Sequence, residues 1–194
     1  MGLLDSFRRS HEPRSILGQG LMLRFPAMED YAQWLHLRSI SRDFLVPWEP
    51  SWPSDDLTLP AWRYRIRRYR EMTTLDQTYP YFIFNSERRL LGGITLSNVR
   101  RGVAQTATLG YWIGEPFARQ GHMARALAAL LPHAFAELHL HRVEAACLPR
   151  NEASIRLLRK SGFSEEGYAR AYLQINGRWE DHLLFARLAQ DPAP

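Results

Sequence analysis

A short polar corner, Ala118-Arg119-Gln120-Gly121-His122, separates an apolar strand from an apolar helix and carries residue types that hold an anion. The first turn of a helix leaves several backbone N–H groups without partners, and the aligned peptide dipoles put partial positive charge there. Such a start cradles phosphate when the ligand can come close. Gly121 removes the Cβ that would stand in the way, and Arg119 and His122 add donors. The main-chain amides of Arg119, Gln120, Gly121, His122, Met123 and Ala124 are therefore candidate ligands. An ordinary strand-to-helix connection uses similar residues, so the corner alone decides nothing. Downstream, Asn151 reads as the N-cap of a short helix, and Ser154 lies one turn inside it, where a serine can also bond its own backbone. Two acids sit among aromatic residues. Glu49 follows Phe44 and Trp48, and Asp181 lies across a hairpin from Tyr172. Aromatic surface with one carboxylate suits an extended peptide with a cationic amino terminus, and the same composition also serves a loop that only covers core. The seven histidines show no ligand spacing, so no metal is expected.

The elements that must position these groups are legible around them. Thr108 to Ile113 reads as a strand that turns through Gly114, Glu115 and Pro116. Met123, Leu127, Leu130, Leu131, Ala134 and Leu138 recur at helical steps, and the stripe continues past Pro132, which predicts one kinked helix. Arg142 to Cys147 is a further strand, and Gly162 stops the helix that Asn151 starts. Upstream, Ile16 to Phe25 reads as the first strand and Met28 to Arg38 as a helix with Asp30 in its first turn. Three prolines between Phe44 and Pro53 predict a rigid, largely extended loop. Ser54 and Asp55 can cap a second helix to Met72, whose arginines 63, 65, 67, 68 and 70 read as a solvated face. Tyr79 to Phe84 and Leu90 to Asn98 are strands. Asn176-Gly177 predicts a type I′ turn between Tyr168–Ile175 and Arg178–Leu188. That turn pairs Ile175 with Arg178, Gln174 with Trp179, Leu173 with Glu180 and Tyr172 with Asp181, provided no bulge intervenes.

The 194 residues, 45% hydrophobic, allow one substantial core, which predicts a single domain over residues 14–190 after a flexible arm of residues 1–13. A formal charge of +5 fits an anionic ligand or a ribosomal surface without demonstrating either. The single cysteine, Cys147, excludes an internal disulfide and lies in an apolar run, which predicts a buried reduced thiol and a cytoplasmic protein. Neither a signal peptide nor a membrane span is expected.

The corner and the Asn151-x-x-Ser154 block together resemble the GNAT acetyltransferases. Within that family the chain is similar to the ribosomal-protein-alanine N-acetyltransferases, of RimJ more than RimL type. The stretches that carry this are Phe44-Leu45-Val46-Pro47-Trp48-Glu49-Pro50, Leu96 to Gly102, Leu109-Gly110-Tyr111-Trp112-Ile113-Gly114, Gly162-Phe163, Glu166 to Arg170, and the hairpin from Tyr172 to His182. The resemblance implies an α+β (α/β) GNAT fold, a twisted, mixed, mostly antiparallel sheet of about seven strands with helices on both faces. It implies acetyl-CoA as co-substrate, with pyrophosphate on the amides of residues 119–124, pantetheine and oxyanion on the backbone of Trp112 and Ile113, and Asn151 beside pantetheine. Ser154 would serve the departing thiolate. Phe44, Trp48, Glu49, Asn98, Tyr172 and Asp181 would contact the acceptor. Two positions depart from the family pattern: Ala118 replaces a customary Gln or Arg, and Thr106-Ala107-Thr108 lack the customary glutamate base.

An amine attacking a thioester must lose a proton, its oxyanion needs stabilising, and its leaving thiolate needs a donor. Glu49 or Asp181 are candidate bases, and an N-terminal amine with a reference pKa near 8 needs little help. Cys147, inside a strand, is no candidate for a covalent intermediate, so transfer in a ternary complex is expected. The expected acceptor is the N-terminal alanine of a ribosomal protein or similar peptide. A small amine, or a non-catalytic acetyl-CoA-binding partner of the ribosome, are the alternatives; no membrane contact or direct nucleic-acid binding is expected beyond a ribosome contact.

Overall fold

The computed structural model describes residues 13–192; the expected arm, residues 1–13, lies outside these except for Pro13. The chain opens on a small hairpin, β1 (Ile16–Gly18) and β2 (Leu21–Arg24). Between them Gln19 and Gly20 both take positive φ, 51° and 75°, which is what a two-residue hairpin turn demands. The single strand expected over residues 16–25 is thus two. Helix α1 (Tyr31–Ile40) follows a one-turn 3₁₀ segment, Met28–Asp30. Asp30, 2% exposed, accepts bonds from the Arg24 guanidinium and from the amide of Ala27.

The proline-rich segment corrects the sequence reading. A short helix α2 (Arg42–Leu45) and a 3₁₀ turn Val46–Trp48 occupy its first half, and extended backbone begins only at Glu49. Pro47 sits in the first turn, where a missing N–H costs nothing. Helix α3 (Leu59–Thr74) is capped by Thr58, whose hydroxyl accepts from the amide of Ala61, rather than by Ser54 or Asp55. Pro60 again lies in the first turn.

Strands β3 (Tyr79–Asn85), β4 (Leu90–Arg100) and β5 (Thr106–Ile113) lead to α4 (His122–Ala136), which continues through Pro132 as one helix. Strand β6 (Arg142–Cys147), helix α5 (Glu152–Lys160) and the hairpin β7 (Ser164–Ile175) and β8 (Arg178–Leu188) complete the chain. The eight strands form one sheet in the order β1-β2-β3-β4-β5-β6-β8-β7, antiparallel throughout except for β5 and β6. Divided between its faces are two cores. Tyr81 and Ile83 of β3 join Leu127, Leu130 and Leu131 of α4 and Leu158 of α5. The alternate residues Phe82 and Phe84 join Trp34 of α1 and Trp62 of α3, whose rings stack at 4.7 Å.

One polar pair crosses the first core. The Tyr81 hydroxyl lies 3.2 Å from His133 Nε2. Burial pushes the Tyr81 pKa up and the His133 pKa down, so the phenol stays protonated and donates to a neutral imidazole. A folded-state pKa below the ordinary 6.5 means that this contribution to stability is full above that pH and is lost as the pH falls below it. Thermal melts should show His133→Gln losing less stability than wild type between neutral pH and pH values below 6.5.

Candidate functional site

The site begins where the sheet opens. Strands β5 and β6 pair only from Thr106↔Arg142 to Thr108↔Glu144; beyond that β6 follows β8, and β5 runs on against β4 alone. A notch results along Leu109 to Ile113. The main-chain groups facing it follow from the ladder. Gly114 donates its N–H to Leu91 in 2.8 Å, and the Trp112 carbonyl is turned towards Gly92, so the even-numbered residues bond β4. By alternation the N–H groups of Tyr111 and Ile113 face the notch. Of the two residues expected to offer backbone there, Ile113 does and Trp112 is engaged by the sheet.

Past Ile113 the chain makes a 3₁₀ turn, Glu115–Phe117, held to the end of α1 by a bond from the Glu115 amide to the Ser41 hydroxyl. The corner follows. Arg119 and Gly121 both have positive φ, 60° and 75°, which curls successive amides around one concavity. The first bond closing back on Gly121 comes from the Arg125 amide, and no side chain caps the helix. A Cβ built on Gly121 meets nothing within 4 Å. The cradle is therefore open, with orphan donors at the positive end of a 15-residue helix. Around it Gln120 donates to the Pro116 carbonyl, and His122 Nδ1 accepts from Arg125, which also bonds the Gln19 carbonyl. Burial and the Arg125 charge push the His122 pKa down, leaving it a neutral donor-acceptor at physiological pH. Arg125 was not singled out in the sequence, because a first-turn arginine runs against the helix dipole and reads as surface.

Across the notch stands α5. Asn151 caps it by accepting from the Ser154 amide at 3.1 Å. At the other end Gly162, φ 81°, and Phe163 donate to Arg159 and Leu158 carbonyls, closing the helix in a Schellman motif. The Ser154 hydroxyl turns to the sheet instead of its own backbone: its Oγ lies 2.6 Å from the Tyr111 hydroxyl of β5. Cys147 is a buried free thiol, as expected, and burial raises its pKa, an effect that the neighbouring Ser154 hydroxyl partly offsets.

The two aromatic stretches meet on the neighbouring side. The amide of Asn176, in the β7–β8 turn, donates to the Glu49 carbonyl at 2.9 Å. Arg150 bonds Glu180 at 3.1 Å and lies 5.9 Å above the Trp48 ring. The Glu49 carboxylate is not free. Arg38 holds both its oxygens at 2.8 and 2.7 Å, and Trp52 Nε1 donates to it at 2.8 Å. Arg38 itself is sandwiched between Trp52 and Trp112, 3.9 and 5.0 Å from their ring centroids. The proline-rich loop is thereby clamped to the strand that borders the notch. Exposed aromatic side chains, Trp48, Tyr168, Tyr172 and Trp179, gather on this loop and hairpin.

The hairpin register departs from expectation at one point. Asn176 and Gly177 form the expected left-handed turn, and Ile175, Gln174 and Leu173 pair as expected with Arg178, Trp179 and Glu180. A bulge between Ala169 and Leu173, with Ala171 at φ 44°, then breaks the ladder, so Tyr172 does not face Asp181. Tyr172 packs edge-on against His182 instead, ring centroids 5.8 Å apart. Asp181 accepts from the Tyr168 hydroxyl and from the Ala171 amide, and these bonds hold its pKa below the usual carboxylate range. Phe44 lies in α2 and is half-buried. Asn98 lies elsewhere: it takes φ 51° in the β4 bulge, next to the Ser97↔Thr108 pair, five residues or about 17 Å along β5 from Ile113.

Comparison with known proteins finds relatives of the whole fold. Residues 20–164 match the family model for the acetyltransferase (GNAT) domain. The chain is 38% identical over 175 residues to a probable N-acetyltransferase of Bacillus subtilis, YjcK, covering 90% of this chain and 97% of that one. It is 35% identical over 155 residues to the ribosomal protein uS5 alanine N-acetyltransferase of Escherichia coli, 79% of this chain and 80% of that one. Among solved structures, Mycobacterium smegmatis RimJ in complex with CoA-disulfide superposes with a TM-score of 0.84 at 32% identity, covering 92% of this chain and 86% of the other.

Proposed function

The chain belongs to the GNAT acetyltransferases, and from that premise we propose that it moves the acetyl group of acetyl-CoA directly to the N-terminal alanine of a ribosomal protein or a similar peptide. The observation that carries this reading is the continuity of three parts: the open amide corner at Gly121, the notch lined by Ile113 and Ser154, and the aromatic loop and hairpin joined at Asn176 and Glu49. The similarity to the E. coli uS5 alanine enzyme and to RimJ supports the choice of acceptor.

Acetyl-CoA, when bound, supplies an activated acetyl group on a good leaving thiolate. The residues of the chain do the rest. Amides of residues 119–124 hold the diphosphate, and the loss of a customary Gln or Arg at Ala118 is tolerable because main-chain donors make the cradle. The Ile113 N–H, facing the notch, meets the carbonyl oxygen as it gains charge. Asn151 fixes the start of α5, and the Ser154 hydroxyl serves the departing sulfur. Trp48, Tyr172 and Trp179 offer contact area to the first residues of the acceptor. Arg38 and Trp52 already occupy both oxygens of Glu49, and the bonds that Asp181 accepts hold its pKa down, which weakens it as a base. Asp181 serves better as fixed negative charge that draws an ammonium in, while Glu49 holds the loop through Arg38 and the amine gives its proton to water. Burial raises the Cys147 pKa, which disfavours a thiolate nucleophile and supports direct transfer.

The test is a thiol-release assay with acetyl-CoA against peptides starting with Ala, Ser or Met and against small amines, together with calorimetry of CoA binding. Turnover of the Ala peptide with intersecting initial-rate patterns is expected. Turnover of small amines alone, binding without turnover, or absence of a CoA binding heat would each overturn the proposal.

A further inference from the structure

Tyr111 sets a phenol on β5 beside the notch. It is partly buried against the α4 core, and its hydroxyl has one hydrogen-bond partner among the described residues, the Ser154 Oγ at 2.6 Å. A buried phenol proton needs an acceptor, and here that acceptor is Ser154. Burial also pushes the Tyr111 pKa well up, so the proton stays on the phenol at any pH at which the protein works. With one lone pair of Oγ taken by Tyr111, the serine's own proton must point elsewhere. The Cys147 thiol is near enough to feel that hydroxyl, which lowers its pKa against the rise that burial causes.

We propose that Tyr111 is a positioning residue for Ser154, holding the serine hydroxyl so that its proton is presented to the sulfur released during transfer. This deepens the role given to Ser154 above and rests on it. The balance is simple. The N–C bond forms and the C–S bond breaks with its electron pair going to sulfur. The amine gives its proton to water, Ser154 gives its own to the sulfur and recovers one from water, and Tyr111 keeps its proton throughout. Donation by the phenol also polarises the serine O–H, which makes it a stronger donor than an isolated hydroxyl.

Tyr111→Phe keeps the buried ring and removes only the oxygen, so melting temperature serves as the check on folding. With the best peptide of the panel, kcat should fall about tenfold while KM for the peptide and Kd for CoA stay within about twofold, the size of one lost hydrogen bond felt only in the transition state. In a Ser154→Ala background the same change should add nothing. A readout that needs no turnover comes from the chain's single cysteine. The pH titration of the Cys147 ¹³Cβ resonance should move upward in Ser154→Ala, which loses the hydroxyl, and part of that way in Tyr111→Phe. Wild-type kcat in Tyr111→Phe, additive losses in the double variant, a rise in KM or Kd instead of a fall in kcat, or an unmoved Cys147 titration would each overturn the positioning role. Wild-type kcat in Ser154→Ala would remove the serine reading itself, which separates the two failures.

Discussion

Gly92→Ala is expected to lose about 3 kcal/mol of stability and most CoA binding. A Cβ at this position would lie 2.3 Å from the Trp112 carbonyl oxygen and 3.0 Å from the Ile113 Cα. Both are backbone atoms, and no rotamer change relieves them; β5 itself would have to move. Its freedom to do so is small. Trp112 is pinned by the Arg38 guanidinium, and by Phe82 at 6.3 Å edge to face, while Gly114 is wedged against Leu37. The displaced stretch is the one that turns the Ile113 amide into the notch. Gly93→Ala is the informative contrast, since its Cβ would meet only side-chain atoms, the Trp112 indole at 2.5 Å, and relief costs that ring its Arg38 and Phe82 contacts without moving the backbone of β5. Urea midpoints should therefore rank wild type above Gly93→Ala above Gly92→Ala, and calorimetry with CoA should fail first for Gly92→Ala. A Gly92→Ala protein with wild-type midpoint and affinity would show that the end of β5 is not the rigid floor described here.

The constraint at Gly92 was invisible in the sequence for a physical reason: it is a contact between strands, and a glycine in an apolar run carries no mark of what lies opposite. Other features divide along the same line. Asn176-Gly177, Asn151 and Gly162 act through their own neighbours along the chain, and the turn, the cap and the stop are where local chemistry predicts them. Gln19-Gly20 makes the same kind of turn as Asn176-Gly177 but puts a glutamine where asparagine is usual, so the hairpin read as one strand. Pro47 forbids a helix interior and permits a first turn, and only the packing of α2 decides between them. The bulge at Ala171 moved Tyr168, not Tyr172, onto Asp181, and nothing in the residues 169–173 announces it. Site residues behave alike. The corner at Arg119–His122 is legible because its function lies in consecutive backbone amides. Tyr111 and Arg38 are not, because each acts on a residue from a distant part of the chain, Ser154 and Glu49.

That local legibility makes Gly121 the second decisive position. Gly121→Val should weaken CoA binding on the order of a hundredfold, about 3 kcal/mol, because the side chain would fill the concavity and deny the ligand two or so charge-assisted hydrogen bonds. Nothing in the protein resists a Cβ there, so the loss cannot come from a clash within the fold. A φ of 75° does carry strain for any L side chain, about 1–2 kcal/mol, and this would lower stability as well. Gly102→Val isolates that component. Gly102 has φ 65° and open space around it, and it lies in the turn before β5, at the far end of the strand from the corner. The two variants should therefore melt within a few degrees of each other, while only Gly121→Val loses the heat of CoA binding. Gly121→Ala should fall between, since a methyl takes up less of the concavity. Equal affinity for CoA in Gly121→Val and Gly102→Val would mean that the diphosphate is held elsewhere, and the roles given to Ile113 and Ser154 would lose their geometric origin.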